Sequence, residues 1–394
     1  MIEAARPVDE ATSKNLALNI SWPWSYDIAE SNRDLRLDFL RGLCFFVMTV
    51  NHISDFAPQT WINAATGHGE FFITAAEGFV FISGLVMGMV YVKIIKKEGI
   101  GKALGKAVNR LGKIYLVTVG MTLFFVSLAT FTPFKLWALR EWITVKDPIE
   151  LIVGSFTMHF AYHGSSIMVM FVLFLVIAPA ALYALSLGKV WWVLGLSWLV
   201  WVANVFYPSQ FTIPFQSNFP FAAWQTIFFT GMVIGYYRNE IPKYFKQPWI
   251  NIYKVVVTVL AVAMVVLFIT YRDGSIQQSF LGNINFKPFM DAANDKGNLP
   301  VERMFGIFLY LQFFYLLVGW FWVPLKKVSG WFFLTLGEAG MYVFIMHLVV
   351  VDIVYNIPGA TGLGDFWFGL VEIAAVGLLW IMVKTHFLFK IIPR

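Results

Sequence analysis

Long apolar runs, separated by short polar, basic or Gly/Pro-containing connections, recur along this chain. Most are close to the roughly 20 residues that an α-helix needs to cross the hydrocarbon core of a bilayer. They predict ten helices at about residues 37–56, 71–92, 108–130, 165–187, 190–206, 220–237, 252–271, 303–323, 333–356 and 366–389, the fifth being short. The expected fold class is therefore all-α, a polytopic integral membrane protein with about ten transmembrane helices. Residues 1–32 stand apart as a polar N-terminal arm, lacking the charged start and short apolar core of a cleavable signal peptide. Residues 33–394 read as a single transmembrane domain. The longest outer connections, about 131–164 and 272–302, suit a lid or a binding rim rather than a further domain.

Composition agrees with the pattern. Of 394 residues, 59% are hydrophobic and 13% charged, about half the charge of a soluble domain, and the mean hydropathy is +0.69. The net charge of +6 does not point to nucleic acid. Membrane proteins accumulate Lys and Arg in cytoplasmic loops, and no basic and aromatic surface module is visible. With the N-terminus inside, 22 of the 29 Lys and Arg residues fall on the cytoplasmic side and 7 outside. The positive-inside rule then predicts that both termini are cytoplasmic. Cys44 is the single cysteine, which excludes an intrachain disulfide and a cysteine-based metal cluster.

The first apolar run holds the most informative chemistry. Arg41 and His52 lie eleven residues apart, and eleven steps of about 100° return to within roughly 20° of the start, about 16 Å along the axis. Both therefore look into one interior channel, and ionisable groups that persist in hydrocarbon mark a pathway or a reaction site. Counting about 1.5 Å per residue from the interface puts His52, Glu77 and His347 in the outer half of the membrane on three separate helices. Asp55, one turn after His52, is placed to orient its imidazole. His68, His159 and His163 fall in outer loops and read as solvated side chains, so no metal site is expected. The predicted cytoplasmic loop Lys93 to Lys113 carries seven basic residues and four glycines. Its charge serves topology, and it also suits a cradle for a phosphate-rich ligand at the face where Arg41 opens.

These residues resemble a known superfamily. Arg41 and His52 match the R-X10-H signature of the acyltransferase-3 membrane proteins, and NRLGKIY at Asn109 to Tyr115 is similar to their RxxRIYP segment, with Lys113 in place of Arg and Leu116 in place of Pro. EAGMYVFIMH, ending at His347, is similar to their late SYxxYLxH helix, with Met341 at the Ser position. A narrower resemblance is to the OpgC family of osmoregulated periplasmic glucan succinyltransferases. It rests on RDLRLDFLRG (Arg33 to Gly42), EGFVFISGLVMGMVY (Glu77 to Tyr91), FAAWQTIFFTGMVIG (Phe221 to Gly235) and LPVERMFGIFLYL (Leu299 to Leu311). Asn51 in MTVN, with FVFISG, more distantly resembles the heparan-α-glucosaminide N-acetyltransferases.

The resemblance implies a bacterial inner-membrane enzyme. It would move a succinyl or acetyl group from cytosolic acyl-CoA to a sugar hydroxyl of a periplasmic glucan or oligosaccharide. His52 is the expected general base, with His347, Glu77 and Asp55 beside it. Arg41, Arg110 and Lys113 are expected to hold the phosphates and pantetheine of the donor. Asn51, Trp224 and Gln225 are substrate-side candidates, and His347, Asn51 and Gln225 are the candidate oxyanion donors. Arg303, at the outer head of the eighth helix, offers a bidentate fork to a succinyl carboxylate. No bound cofactor is expected, and the oligomeric state is left open. The competing reading is a proton-coupled transporter or exporter of a glycan or small anion, which would carry broken helices in paired positions.

Overall fold

The computed structural model describes residues 34–56, 60–67, 71–137, 148–159, 166–211, 219–244, 248–275 and 283–392. The N-terminal arm, His68 and His163 lie outside these residues. The described part is helical, with no strand among its residues. In chain order the helices are α1 (Leu35–Ser54), α2 (Trp61–Ala65), α3 (Ala75–Glu98), α4 (Ile100–Phe131), α5 (Pro148–Phe156), α6 (Ser166–Ser186), α7 (Val190–Phe206) and α8 (Phe221–Tyr236). They continue as α9 (Ile241–Tyr244), α10 (Trp249–Arg272), α11 (Lys287–Asn294), α12 (Val301–Trp320), α13 (Trp322–Glu338), α14 (Gly340–Tyr355) and α15 (Asp365–Lys384).

All ten apolar runs are helical. Six helices, α3, α4, α6, α10, α12 and α15, are long and apolar enough to cross a membrane by length and composition. The α13 and α14 pair makes a seventh if it is one span. Helices α7 and α8 are apolar but shorter, and the Arg, Asp, Asn and His side chains of α1 lower its hydropathy. The structure thus shows a multi-pass membrane protein of coarser definition than ten crossings.

Two expected features take a different form. The ninth run is not one rod, because α13 and α14 meet at a 94° bend after Glu338. The Lys93 to Lys113 stretch is not a loop. Helix α3 runs to Glu98 and α4 resumes at Ile100, with Gly99 between them at φ +85°, a backbone conformation open to glycine without steric cost. Helix α4 spans 32 residues, about 48 Å at 1.5 Å per residue, so its basic first half extends beyond a hydrocarbon core of about 30 Å.

Backbone contacts at glycine hold the bundle together. In α3, Gly84 and Gly88 abut the carbonyls of Phe228 and Met232. In α8, Gly231 and Gly235 abut those of Phe81 and Leu85. Two G-x-x-x-G stripes thus face each other, the arrangement that lets membrane helices approach to van der Waals distance where hydrophobicity gives no preference between lipid and protein. The α1 and α13 interface is built likewise, with Gly42 on the carbonyl of Phe333 and Gly337 on that of Asp38.

The helix starts follow local chemistry. Asp34 caps α1 by accepting from the Arg36 backbone N–H at 3.1 Å. Its carboxylate also takes Arg238 and, at 2.8 Å, the hydroxyl of Tyr315, tying α1 to the end of α8 and to α12. Thr74 and Glu77 form a capping box at the start of α3.

Candidate active site

Helices α1 and α14 lie against each other, and this contact brings His52 to His347. Their imidazole rings stack with centroids 5.6 Å apart and planes at 19°. His347 is fully buried, while the side chain of His52 is 31% exposed. His52 therefore keeps a route to an outside molecule, and His347 backs it.

Hydrogen bonding sets the roles of the ring nitrogens. His347 Nδ1 lies against the carbonyl oxygen of Phe344. A carbonyl only accepts, so Nδ1 carries the proton and Nε2 is the lone-pair nitrogen of the neutral ring. Nε2 is buried and has no hydrogen-bond partner among the described residues. The neutral ring thus presents an acceptor, which is unlike the oxyanion-donor role expected for it. His52 Nδ1 lies 3.5 Å from Asp55 Oδ2, the arrangement that directs the Nδ1 proton to the carboxylate and leaves Nε2 to accept. Asn51 Oδ1 accepts from Thr66 at 2.8 Å and from Asn63 at 3.3 Å, which anchors α2 beside His52. At the other end of α2, Glu372 accepts from Ser54 at 2.6 Å and from Thr60 at 2.5 Å.

On the far side of Phe344 is a cavity of about 510 Å³ between α1, α3, α4, α6 and the α13/α14 bend. Arg41, Lys106, Asn109, Arg110 and Lys113 line it, so the three cations expected to hold a donor share one space. Lys106 and Asn109 join them. Arg41 donates to the Gly337 carbonyl at 3.3 Å and lies 3.6 Å from Asp38, a cation set at the C-terminal end of α13 where the helix dipole favours it. Gly340, the first residue of α14, packs against the Arg41 side chain.

Phe79 and Phe344 line the same cavity, with their rings stacked at 5.7 Å. The edge of Phe344 meets His347, with ring centroids 5.0 Å apart. One aromatic side chain therefore lies between the cationic cavity and the histidine pair.

Four sequence candidates lie elsewhere. Glu77 does not meet the histidines. Its Oε1 accepts from Arg303 Nε at 2.9 Å and Nη2 at 2.5 Å, while Oε2 accepts from the Thr74 backbone N–H at 2.8 Å and from the Thr74 hydroxyl. Arg303 gives its third bond to the Ala293 carbonyl at 2.8 Å, and both side chains are fully buried. The depth count, which grouped Glu77 with the histidines, did not anticipate this partner. Gln225 donates to the Ser197 and Ala222 carbonyls and to Thr226, and accepts from the Ser197 hydroxyl, so it clamps α7 to α8. Trp224 donates to the Lys296 carbonyl at 3.3 Å. His159 bonds Thr157 at 3.0 Å, and no group of three metal-ligating side chains occurs among the described residues.

Sequence reasoning missed one residue at the pair. The Trp137 ring lies over His52, with centroids 4.8 Å apart. Nothing in FTPFKLW distinguishes this tryptophan from an interfacial anchor.

The family model described as OpgC protein matches residues 33–391, nearly the whole chain. No curated protein matches the chain, and no solved structure does.

Proposed function

We propose that this chain, which belongs to the OpgC family, transfers an acyl group from cytosolic acyl-CoA to a sugar hydroxyl on the outer face of a bacterial inner membrane. Family membership points at its coarsest to a glucan-modifying acyltransferase. The finer reading, with succinyl as the acyl group and a periplasmic glucan as acceptor, follows from the family resemblance, while the arrangement of the site supports acyl transfer from a phosphate-bearing donor. The observation that carries it is a cavity lined by Arg41, Lys106, Arg110 and Lys113 on one side of Phe344, with the His52 and His347 pair on the other. Cations suit the phosphates of CoA, and imidazole suits removal of a hydroxyl proton near neutral pH.

In this reading the pantetheine arm passes Phe79 and Phe344 and presents its thioester to His52. Nε2 of His52 takes the proton of the sugar hydroxyl as its oxygen attacks the thioester carbonyl, whose π pair moves to oxygen. When the carbonyl re-forms, the C–S bond breaks and the imidazolium returns the proton to sulfur, giving the ester and free CoA. Asp55 holds the His52 ring. Glu77 and Arg303 keep α3 and α12 in register rather than touching substrate.

The transporter reading has one observation in its favour, the 94° bend between α13 and α14 beside Arg41. No second bent pair accompanies it among the described residues, whereas repeat-built transporters pair such breaks. Purified protein in nanodiscs, given succinyl-CoA or acetyl-CoA and a linear oligoglucoside, separates the two. Mass spectrometry showing an oligosaccharide heavier by one acyl group supports transfer. Unmodified sugar, with sugar accumulating inside proteoliposomes, overturns it.

A further inference from the structure

Acyl transfer needs a donor for the negative charge that develops on the carbonyl oxygen, and such donors are the largest single contribution in many acyl-transfer sites. Two of the three side chains first expected to supply it, His347 and Gln225, have spent their protons elsewhere. The His347 N–H points to the Phe344 carbonyl, and the Gln225 amide hydrogens bind within α7 and α8, while Asn51 is tied through its side-chain carbonyl oxygen to Thr66 and Asn63 on the α2 side.

The Trp137 indole is different. Its Nε1 is buried and has no hydrogen-bond partner among the described residues. A buried donor left unsatisfied is costly, so one that persists in a folded protein calls for a reason. This N–H belongs to a ring lying 4.8 Å from that of His52. Indole donates and never accepts, which suits a place where negative charge appears and not one where a cation does.

The residue is also held in place. Its backbone N–H donates to Asp352 Oδ1 at 2.9 Å. Two residues earlier, Lys135 donates to Asn356 Oδ1 at 2.9 Å and its carbonyl accepts from Asn356 Nδ2 at 2.7 Å. Asp352 lies in the helix that carries His347 and Asn356 caps its end, so one element presents both His347 and the segment bearing Trp137. A donor fixed before reaction pays no reorganisation when charge develops.

We propose that the Trp137 Nε1–H is an oxyanion donor of the acyl-transfer step, giving its hydrogen bond to the former carbonyl oxygen of the thioester while His52 holds the acceptor's proton. The inference rests on the acyltransferase reading above and adds a residue to it. It requires no other reactant. The π pair that moves to oxygen on attack is stabilised there until it returns and expels the thiolate.

The test uses the full chain in nanodiscs with succinyl-CoA and a linear oligoglucoside. Trp137→Phe keeps a ring over His52 and removes the N–H. It is expected to lower kcat by about 10²-fold to 10³-fold, the usual effect of deleting one oxyanion donor. The KM for either substrate should stay within about threefold, because the lost bond forms only in the transition state. The pH profile should keep its shape, since His52 is untouched. A sulfur isostere of tryptophan, 3-benzothienylalanine, introduced at position 137 by amber suppression, deletes the N–H with almost no change in shape. It should reproduce the loss if Trp137→Phe packs poorly. Wild-type kcat in the isostere overturns the donor role, as does a change confined to the acceptor KM. A wild-type protein that transfers no acyl group at all overturns the acyltransferase reading and the Trp137 role together.

Discussion

His52 and His347 stack with their ring centroids 5.6 Å apart, although they lie on helices near opposite ends of the chain. His52 is the partly exposed member, and Asp55 Oδ2 stands 3.5 Å behind its Nδ1. His52→Ala should lower transfer by about 10²-fold to 10⁴-fold, the usual contribution of a general base, with the thermal midpoint little changed. His347→Ala should slow the enzyme and also loosen it, because it opens a cavity in a fully buried site. Acyl-transfer rates and melting curves on the same preparations check both. Wild-type turnover by a folded His52→Ala protein would remove His52 from the mechanism.

The cationic cavity gives a prediction about the donor. Arg41→Ala, and the double change Arg110→Ala with Lys113→Ala, should raise the KM for acyl-CoA by about tenfold or more, the value of one charge-assisted bond of roughly 1.5 kcal/mol. The KM for the oligoglucoside should move little. The orientation proposed with this donor site puts residues 99–113 in the cytoplasm. In a Cys44→Ala background, a cysteine at Gly101 should be shielded from an impermeant reagent in intact spheroplasts. Labelling there, or an effect on the glycan alone, would put the donor on the wrong side.

Glu77 and Arg303 satisfy each other inside the bundle. Removing one partner leaves an uncompensated buried charge, which typically costs about 3–5 kcal/mol, whereas an apolar or neutral replacement of both costs far less. Arg303→Gln should therefore melt well below wild type and lose succinyl and acetyl transfer alike. Glu77→Gln with Arg303→Met should recover much of the stability. A stable Arg303→Gln protein that loses only succinyl transfer would instead make Arg303 a substrate contact.

The α3 and α8 seam has no room for a side chain at Gly84 or Gly235, because each abuts a backbone carbonyl. Gly84→Leu should separate the helices and cost at least the roughly 1–3 kcal/mol of ordinary overpacking. Gly101→Leu, where nothing lies near, is the matched control. Thermal unfolding in one detergent compares them, and equal midpoints would mean that the seam gives way.

Asp34 gives the acid limb of stability. Burial pushes its carboxyl up, but hydrogen bonds from Arg36, Arg238 and Tyr315 outweigh this and hold it well below the ordinary aspartate value of 3.8. A carboxylate with a lowered folded value stabilises fully above its unfolded value, and this contribution is lost as pH falls toward the folded one. Stability attributable to Asp34 should be level from neutrality to about pH 5 and fall below about pH 4. Asp34→Asn should lower the midpoint at pH 7 and flatten that fall. An unchanged acid slope would show that the cluster does not couple to folding.

The sequence by itself determined the helices and which ionisable side chains α1 carries on one face. Hydrocarbon admits only segments whose backbone bonds close internally, so apolar runs of the right length announce themselves, and a spacing of eleven fixes the common face of Arg41 and His52. The spacing of Gly84 and Gly88, and of Gly231 and Gly235, is written in the sequence, but that α3 and α8 meet through it is not. Only the tertiary structure decided which polar groups meet. The faces that turn to lipid and to protein are both apolar in such helices, so periodicity does not say where a helix points. Glu77 therefore read as a neighbour of His52 until Arg303 was found against it. Trp137 carried no signal of its own, and only Asp352 and Asn356, more than 200 residues later in the chain, bring its segment to the histidine. The bend at Glu338 was also beyond reading, because Arg41 from another helix takes up the Gly337 carbonyl at the end of α13.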